Sequence, residues 1–262
     1  MGYEFIGYEK NGRVAYVTID RPGVLNALHP PANAEMRQAF TDFRDDPDVW
    51  VAVVTGSGER AFSAGNDLKY HAEHVRPGEA YPDAEANPFG GITSGFTCWK
   101  PIIAAVNGYA TGGGLELALA CDIVVAAEHA RLGLTEPRVG VVAGAAGTHM
   151  LVRQVPHKAA MGMLLTGKTI TAQEAHRLGL INEVVPMAEL MATANRWAAD
   201  ILECAPIAVQ ASKQMATQGL GLPSEEAVRA KYSGYERAKA SEDYVEGPRA
   251  FAEKRPPVWR GR

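Results

Sequence analysis

The chain has 262 residues, of which 47% are hydrophobic and 21% are charged, and its net charge is −4. This composition is typical of one large globular domain, or of a domain with an appended piece, with enough chain for a substantial core. The slight negative charge argues against a nucleic-acid-binding surface, so an anionic ligand would have to be held by local cations and helix ends.

The cysteines predict reduced thiols rather than a disulfide framework. Cys98, Cys121 and Cys204 lack the spacing of metal ligands, and the last two lie in apolar runs that predict a core position. The first residues lack a basic segment followed by an apolar run, and Asn107 and Glu116 interrupt the longest apolar region. We therefore expect no signal peptide, no membrane span, no metal and a cytoplasmic location.

The N-terminal quarter predicts a hairpin, a helix and a buried strand. Residues 5–9 and 14–19 are short β-like runs that flank the turn Asn11-Gly12. Helical spacing of apolar residues predicts a helix that follows residues 30–33 and stops at 45–47. Residues 49–54 are continuously apolar, which predicts a strand buried in a sheet.

A glycine turn after this strand raises the alternative of a dinucleotide-binding fingerprint. The three small residues of that fingerprint would be Gly56, Gly58 and Ala61. That fingerprint requires a helix to begin at the turn, whereas a second glycine turn follows here, so the alternative is disfavoured. The next segment, 70–97, has little periodicity, which predicts either a functional loop or a solvated insertion.

Residues 101–122 hold the first candidate catalytic group. An apolar strand (102–106) and a turn lead to the glycines at 112–114, and the following helix (115–120) is apolar except at Glu116. A carboxylate in a buried helix is costly unless it is paired, hydrogen-bonded or neutral. Glu116 is therefore either a buried acid or base beside uncovered N–H groups, or a first-turn residue that stabilises its own helix.

A second glutamate follows two strand-like runs, 123–126 and 130–134. Pro137 excludes the α region for Glu136 and so fixes the direction of its side chain. The alternative is a loop residue paired with Arg138. A glycine-rich segment, 140–147, then leads into a helix.

The C-terminal part is mostly helical. A brief strand is predicted within 178–185, and helices are predicted over 187–202, 206–218, 224–239 with Ser224 as the cap, and 242–253. Strand–helix alternation followed by helices alone predicts a core over 1–199 and a helical part over 200–262.

Several segments, taken together and in order, carry a family likeness. They read RPGVLNAL, VVTGSGERAFSAGNDLK, PIIAAVNGYATGGGLELALACD, GLTEPRVGVVAGAAGTHML and FAEKR. These motifs resemble the crotonase (enoyl-CoA hydratase/isomerase) family over essentially the whole chain. The C-terminal run SEDYVEGPRAFAEKRPPVWRGR is similar to the carnitinyl-CoA dehydratase branch.

The resemblance implies an α/β fold, a spiral of ββα repeats with a helical C-terminal trimerisation part, in a homotrimer or a dimer of trimers. It implies that Glu116 and Glu136 are catalytic and that the backbone N–H groups of Asn66 and Gly113 form an oxyanion hole. Asn66 departs from the family pattern, which often has Ala or a large apolar residue, but the donor is backbone. Where the family usually has two consecutive glycines, this chain has Ala146 followed by Gly147.

The resemblance also implies an acyl-CoA thioester as substrate, with coenzyme A as part of the substrate and no separate cofactor. The substrate-binding positions that it assigns are Val24, Leu25, Ala64, Asp67, Lys69, Gly144 and, from a neighbouring subunit, Phe251 and Lys254. Aromatic residues available for the acyl chain are Tyr70, Tyr81, Phe89, Phe96 and Trp99. They could hold a quaternary ammonium or serve as plain apolar lining, which is the favoured reading.

Because both glutamates are present, the sequence predicts an enoyl-CoA hydratase, in which Glu116 activates water and Glu136 protonates C2. The alternatives are a carnitinyl-CoA dehydratase, an isomerase or other acyl-CoA-transforming crotonase, and a non-catalytic CoA-binding homologue.

Overall fold

A computed structural model describes residues 2–79 and 85–262 of the chain. Its strands are β1 Ile6–Asn11, β2 Val14–Ile19, β3 Val51–Gly56, β4 Ala61–Ser63, β5 Ile102–Val106, β6 Tyr109–Thr111, β7 Ile123–Ala127, β8 Arg131–Gly133, β9 Ile170–Thr171 and β10 Glu183–Val185. Its α-helices are α1 Pro30–Asp45, α2 Leu68–His74, α3 Gly113–Leu119, α4 Gly147–Gln154, α5 His157–Thr166, α6 Ala172–Arg177, α7 Leu190–Leu202, α8 Pro206–Gly219, α9 Ser224–Arg229, α10 Ser233–Lys239 and α11 Asp243–Ala252. Short 3-10 helices cover Pro22–Val24, Phe89–Gly91, Glu136–Val139 and Met187–Glu189.

The described strands form two sheets that the chain enters alternately. One sheet has the order β1-β2-β3-β5-β7-β10, and the other has the order β4-β6-β8-β9. The consecutive pairs β3–β4, β5–β6 and β7–β8 each place one strand in each sheet, and a helical segment follows every pair. The ββα repeats that the sequence predicts are therefore confirmed.

The sheets are parallel where the repeats stack, because each return to the same sheet passes through a helix. β3, β5 and β7 pair in parallel, as do β4, β6 and β8, whereas β1 and β2 form the predicted antiparallel hairpin. Such strands are covered on both faces, which explains the continuous apolar runs. β5 is buried at all five of its residues.

The repeats place the carboxyl ends of successive strands, and the loops that follow them, side by side.

The turn after β3 leads to β4 rather than to a helix, so the dinucleotide alternative lacks the helix that it requires. The segment from 70 to 97 is less irregular than predicted, because α2 extends to His74 and a 3-10 helix covers Phe89–Gly91. The predicted acyl-chain residue Tyr81 lies outside the described residues.

The C-terminal prediction of one helix over 224–239 is wrong. The chain breaks between α9 and α10, where Ala230 is extended and the ring of Tyr232 is buried, with its hydroxyl donating to the carbonyl of Ala227. Ser224 is not the cap, since Pro223 occupies the N-cap position. Packing of Tyr232 against its surroundings overrides the local helical pattern.

The cysteine prediction is wrong at one position. Cys204 follows the end of α7 and is exposed, whereas Cys98 is buried and Cys121 is partly buried, and all three thiols are free. An apolar run at a helix end does not fix which face a residue takes. None of the helices within 2–79 and 85–262 combines the length and hydrophobicity of a membrane span.

Candidate active site

A cavity of about 320 Å³ lies where α3, the 3-10 helix at Glu136 and the loop before α4 meet the start of α2. Most of its wall is apolar, with a few convergent polar groups, which is typical of a ligand site. It brings together the following sequence-predicted residues: Ala64, Asn66, Gly113, Glu116, Glu136 and Gly144.

Glu116 lies in the first turn of α3 and is only 5% exposed. Its Oε1 accepts a hydrogen bond from the backbone N–H of Gly147, the first residue of α4, over 2.8 Å. A Cβ at Gly147 would lie 2.8 Å from Cγ and Oε1 of Glu116, so this position requires glycine. The residue before it, Ala146, has φ +83°, a left-handed conformation that is strained for alanine.

The environment of Glu116 raises the pKa of its carboxyl group towards neutral pH. Burial raises the pKa of Glu116 to about 7, because the charged form loses hydration. The N–H of Gly147 opposes this rise by stabilising the carboxylate, and the neighbouring charge of Glu136 adds to it. The carboxyl group is therefore buried at the cavity wall rather than solvated at the end of its helix.

Glu136 begins the 3-10 helix, so the expectation that Pro137 keeps it out of helical backbone geometry is wrong. It is 8% exposed and also lines the cavity. Burial raises its pKa, and its own backbone N–H opposes the rise. Its Oε2 is buried without a hydrogen-bond partner within the described residues. The alternative of an ion pair with Arg138 is wrong, since the Nε of Arg138 donates to the carbonyl of Thr166 over 3.1 Å.

Two backbone N–H groups lie close together at the cavity wall. Gly65 has φ +91°, and a Cβ there would lie 2.9 Å from the nitrogen of Gly113, so the chain at 65–66 packs directly against the start of α3. Across the ranges 2–79 and 85–262, neither Asn66 nor Gly113 donates its backbone N–H to a protein acceptor. Both donors remain available to a ligand, and that of Gly113 has the helix dipole behind it.

The position of Asn66 is fixed by pairing with the loop before α1. The N–H of Leu28 donates to the carbonyl of Gly65 over 2.8 Å, and the N–H of Asp67 donates to the carbonyl of Leu28 over 2.8 Å. The side-chain Nδ2 of Asn66 lies 3.4 Å from Nδ1 of His71, which also lines the cavity.

The predicted CoA-binding positions are only partly gathered at the cavity. The N–H of Ala64 donates to the carbonyl of Leu25 over 2.9 Å, which places the segment at Leu25 beside the cavity wall. Asp67 caps α2 by accepting from the N–H of Tyr70, and it pairs with Arg21 over 3.1 Å. The predicted residues that do not line the cavity are Val24, Leu25, Asp67, Lys69, Phe251 and Lys254.

Of the described aromatic candidates for the acyl chain, only Phe89 lines the cavity. Tyr70 instead stacks on His74, with 3.9 Å between ring centroids, and Phe96 packs against Phe40. The ring of Phe89 lies so close to Gly113 that a Cβ on that glycine would be 2.5 Å from it. This ring therefore packs against the first residue of α3, whose N–H is one of the two backbone donors.

Sequence reasoning missed some wall residues that no local motif reveals. Asn33, in the first turn of α1, and His71, on α2, reach the cavity only through the fold. Val139, Val141 and Val142 contribute to the apolar part of the wall. Their glycine-flanked segment could have suggested a loop near Glu136, but not its place at the cavity.

Comparison with known proteins shows the family of this chain. The model of a family described as enoyl-CoA hydratase/isomerase matches residues 9–262. Carnitinyl-CoA dehydratase of Escherichia coli K12 is 45% identical over 265 aligned residues that cover 99% of both chains, and that of Salmonella typhi is 44% identical over the same share.

Solved structures of similar proteins have the same fold. The crystal structure of an enoyl-CoA hydratase from Mycobacterium tuberculosis H37Rv has a TM-score of 0.89 at 34% identity, over 98% of this chain and 99% of the other. That of an enoyl-CoA hydratase from Bacillus anthracis has a TM-score of 0.89 at 33% identity, over 99% of this chain and 100% of the other.

Proposed function

Because the chain belongs to the enoyl-CoA hydratase/isomerase family, also called the crotonase family, we propose that it adds water reversibly to a 2,3-unsaturated acyl-CoA. The observation that carries this proposal is the meeting of two buried glutamates and two unpaired backbone N–H groups in one cavity. Isomerisation alone needs no attacking water, whereas a pair of carboxyl groups can divide water activation and carbon protonation.

The backbone donors supply the electrostatic part of the proposed reaction. When water adds to C3, negative charge develops on the thioester oxygen, as in an enolate. The N–H groups of Asn66 and Gly113 are fixed before the substrate binds, so they stabilise that charge without reorganisation. Loss of one such donor typically costs roughly 10²–10³ in rate.

The glutamates supply the proton transfers. We assign Glu116 to the attacking water: it takes one proton while the water oxygen bonds to C3. Glu136, whose pKa burial also raises, gives its proton to C2 as the carbon–carbon double bond becomes single. The net change is one water added, and one proton must pass from Glu116 to Glu136 or through solvent before the next turnover.

A second candidate function is dehydration of a carnitinyl-type thioester. The observation in its favour is the 45% identity to a carnitinyl-CoA dehydratase over 99% of both chains. The same two glutamates and two N–H groups would serve this reaction, because dehydration is the reverse of hydration.

The remaining binding residues are also proposals. Val24, Leu25, Ala64, Asp67 and Lys69 would follow the pantetheine and nucleotide, with Gly144 near the catalytic water. Phe251, which is 87% exposed, and Lys254 would come from a neighbouring subunit of a trimer or a dimer of trimers. The division into a core over 1–199 and a helical part over 200–262, and a cytoplasmic location, are proposed on the same basis.

Hydration and dehydration assays on one preparation test this function. Purified protein is given crotonyl-CoA, a 3-hydroxyacyl-CoA and a carnitinyl-type thioester, and interconversion is followed by chromatography. Turnover of the first pair supports a hydratase, and a strong preference for the third supports the second candidate. Binding of CoA without turnover of any of them would instead indicate a non-catalytic homologue.

A further inference from the structure

One buried amide in the cavity wall has no role in the chemistry above. Asn33 is 4% exposed, and its Oδ1 accepts a hydrogen bond from the backbone N–H of Gly90 over 2.9 Å. A backbone N–H can only donate, so the oxygen of this planar amide must face Gly90. The NH₂ group of Asn33 is thereby fixed on the opposite side.

This NH₂ group remains a donor without a protein acceptor. No residue within 2–79 or 85–262 accepts a hydrogen bond from Nδ2 of Asn33, although the residue lines the cavity. Some side-chain polar atoms of the described residues have neither solvent contact nor a hydrogen-bond partner, and Nδ2 of Asn33 is not one of them. A donor kept on a mostly apolar wall is costly to desolvate unless the ligand supplies an acceptor.

The turn that holds the amide is tightly docked and leaves the side chain little freedom. Gly90 and Gly91 have φ of +58° and +77°, and a Cβ at Gly91 would lie 2.6 Å from the backbone nitrogen of Arg37 in α1. The same turn carries Phe89, whose ring packs against Gly113. The amide is therefore fixed relative to the backbone donor that would hold the thioester.

We propose that Asn33 is a specificity-determining residue, whose NH₂ group donates a hydrogen bond to an oxygen on the acyl chain beyond C3, of the hydroxyl or ether class. This assignment rests on the proposed acyl-CoA binding and deepens it. It differs from recognition of a quaternary ammonium, which has no acceptor to offer, and the only Phe, Tyr or Trp ring on the described cavity wall is Phe89.

Binding of unreactive saturated thioesters tests this proposal without requiring turnover. The probes are isosteric pairs in which an ether oxygen replaces a methylene: 4-methoxybutanoyl-CoA with hexanoyl-CoA, and 5-methoxypentanoyl-CoA with heptanoyl-CoA. The quantity compared is the ratio of dissociation constants within a pair, because general loss of affinity or of folding cancels in it.

Asn33→Asp is the decisive variant, since its carboxylate still accepts from Gly90 but offers no donor to the cavity. Asn33→Leu removes both hydrogen bonds. The matched control is Asn182→Asp, because Oδ1 of Asn182 also accepts a backbone N–H, that of Val124 over 2.9 Å, but lies away from the cavity.

For at least one pair, we expect the preference for the ether in the wild type to fall roughly three- to tenfold in Asn33→Asp and Asn33→Leu, and to stay constant in Asn182→Asp. An unchanged ratio in Asn33→Asp for both pairs overturns the proposal and leaves Asn33 as a support of the turn. Crotonyl-CoA hydration is measured separately on the same preparations. A failure of the proposed reaction can therefore be distinguished from a failure of the proposed role of Asn33.

Discussion

The backbone N–H of Gly147 donates to Oε1 of Glu116 over 2.8 Å and joins the first turn of α3 to the first residue of α4. This contact orients a buried carboxyl group and stabilises its charged form, against a burial that favours the neutral form. The balance between these two effects keeps the pKa of Glu116 at about 7, the range that suits a general base at neutral pH.

Gly147→Ala should lower kcat/KM by on the order of 10²-fold, because the new methyl would displace the carboxyl group of Glu116. The space it needs lies only 2.8 Å from Cγ of that side chain. Steady-state kinetics on crotonyl-CoA measure the loss. Ala146→Gly is the control: it removes a strained φ of +83°, and we expect unaltered kinetics and a change in unfolding free energy within about 1 kcal/mol. Equal activity of Gly147→Ala and wild type would reject the positioning role.

Gly113→Ala should also reduce activity by on the order of 10²-fold, through its collision with Phe89 and the shift of a backbone donor. Because the collision is with a side chain, the double variant Phe89→Ala with Gly113→Ala should recover part of the loss. The measurement is kcat for the two single variants and the double variant, with circular dichroism to confirm folding. If the fold-loss in kcat of the double variant equals the product of the fold-losses of the two single variants, the steric explanation is wrong.

Asn66→Ala separates the backbone of this residue from its side chain. If the N–H is the oxyanion donor, kcat on crotonyl-CoA should fall by less than about tenfold, since alanine keeps that donor. A loss of 10²-fold or more would mean that the amide side chain, which lies 3.4 Å from Nδ1 of His71, takes part in the reaction itself.

Stability should depend on pH through Glu116. Its pKa rises from 4.5 to about 7 on folding, so its contribution is fully present below about pH 4.5 and is lost as the pH rises through about 7. Glu116→Gln should therefore gain unfolding free energy over wild type near pH 8.5, by on the order of 3 kcal/mol at most, and the gain should shrink towards pH 5. Urea unfolding at both values measures it. A gain that is the same at both pH values would contradict the assigned shift.

The fold and the local structure around Glu116 were predictable where several neighbouring residues constrain one outcome. The apolar run at 102–106, the glycines at 112–114 and the lone carboxyl of Glu116 agree on a strand, a turn and a buried helix, and the structure contains all three. The hydrogen bond that orients Glu116 was not predictable, because Glu116 and Gly147 are 31 positions apart in the chain and meet only through folding.

Residues that act through long-range packing were the ones that sequence reasoning missed or misplaced. Asn33 looks like an ordinary helix-start residue, and nothing near it in the sequence indicates a cavity. Tyr70 was expected at the acyl chain, yet its ring stacks on His74 of the same helix. The break before Tyr232 has the same origin, since a buried ring outweighs local helix propensity.

The central claim is that Glu116 and Glu136 together hydrate an enoyl thioester. The most direct test is the loss of ultraviolet absorbance of crotonyl-CoA with wild type, Glu116→Gln and Glu136→Gln at equal concentration. We predict turnover by wild type and a loss on the order of 10²-fold or more in each variant, with CoA binding retained. Wild-type turnover that survives either substitution within a few-fold would contradict it.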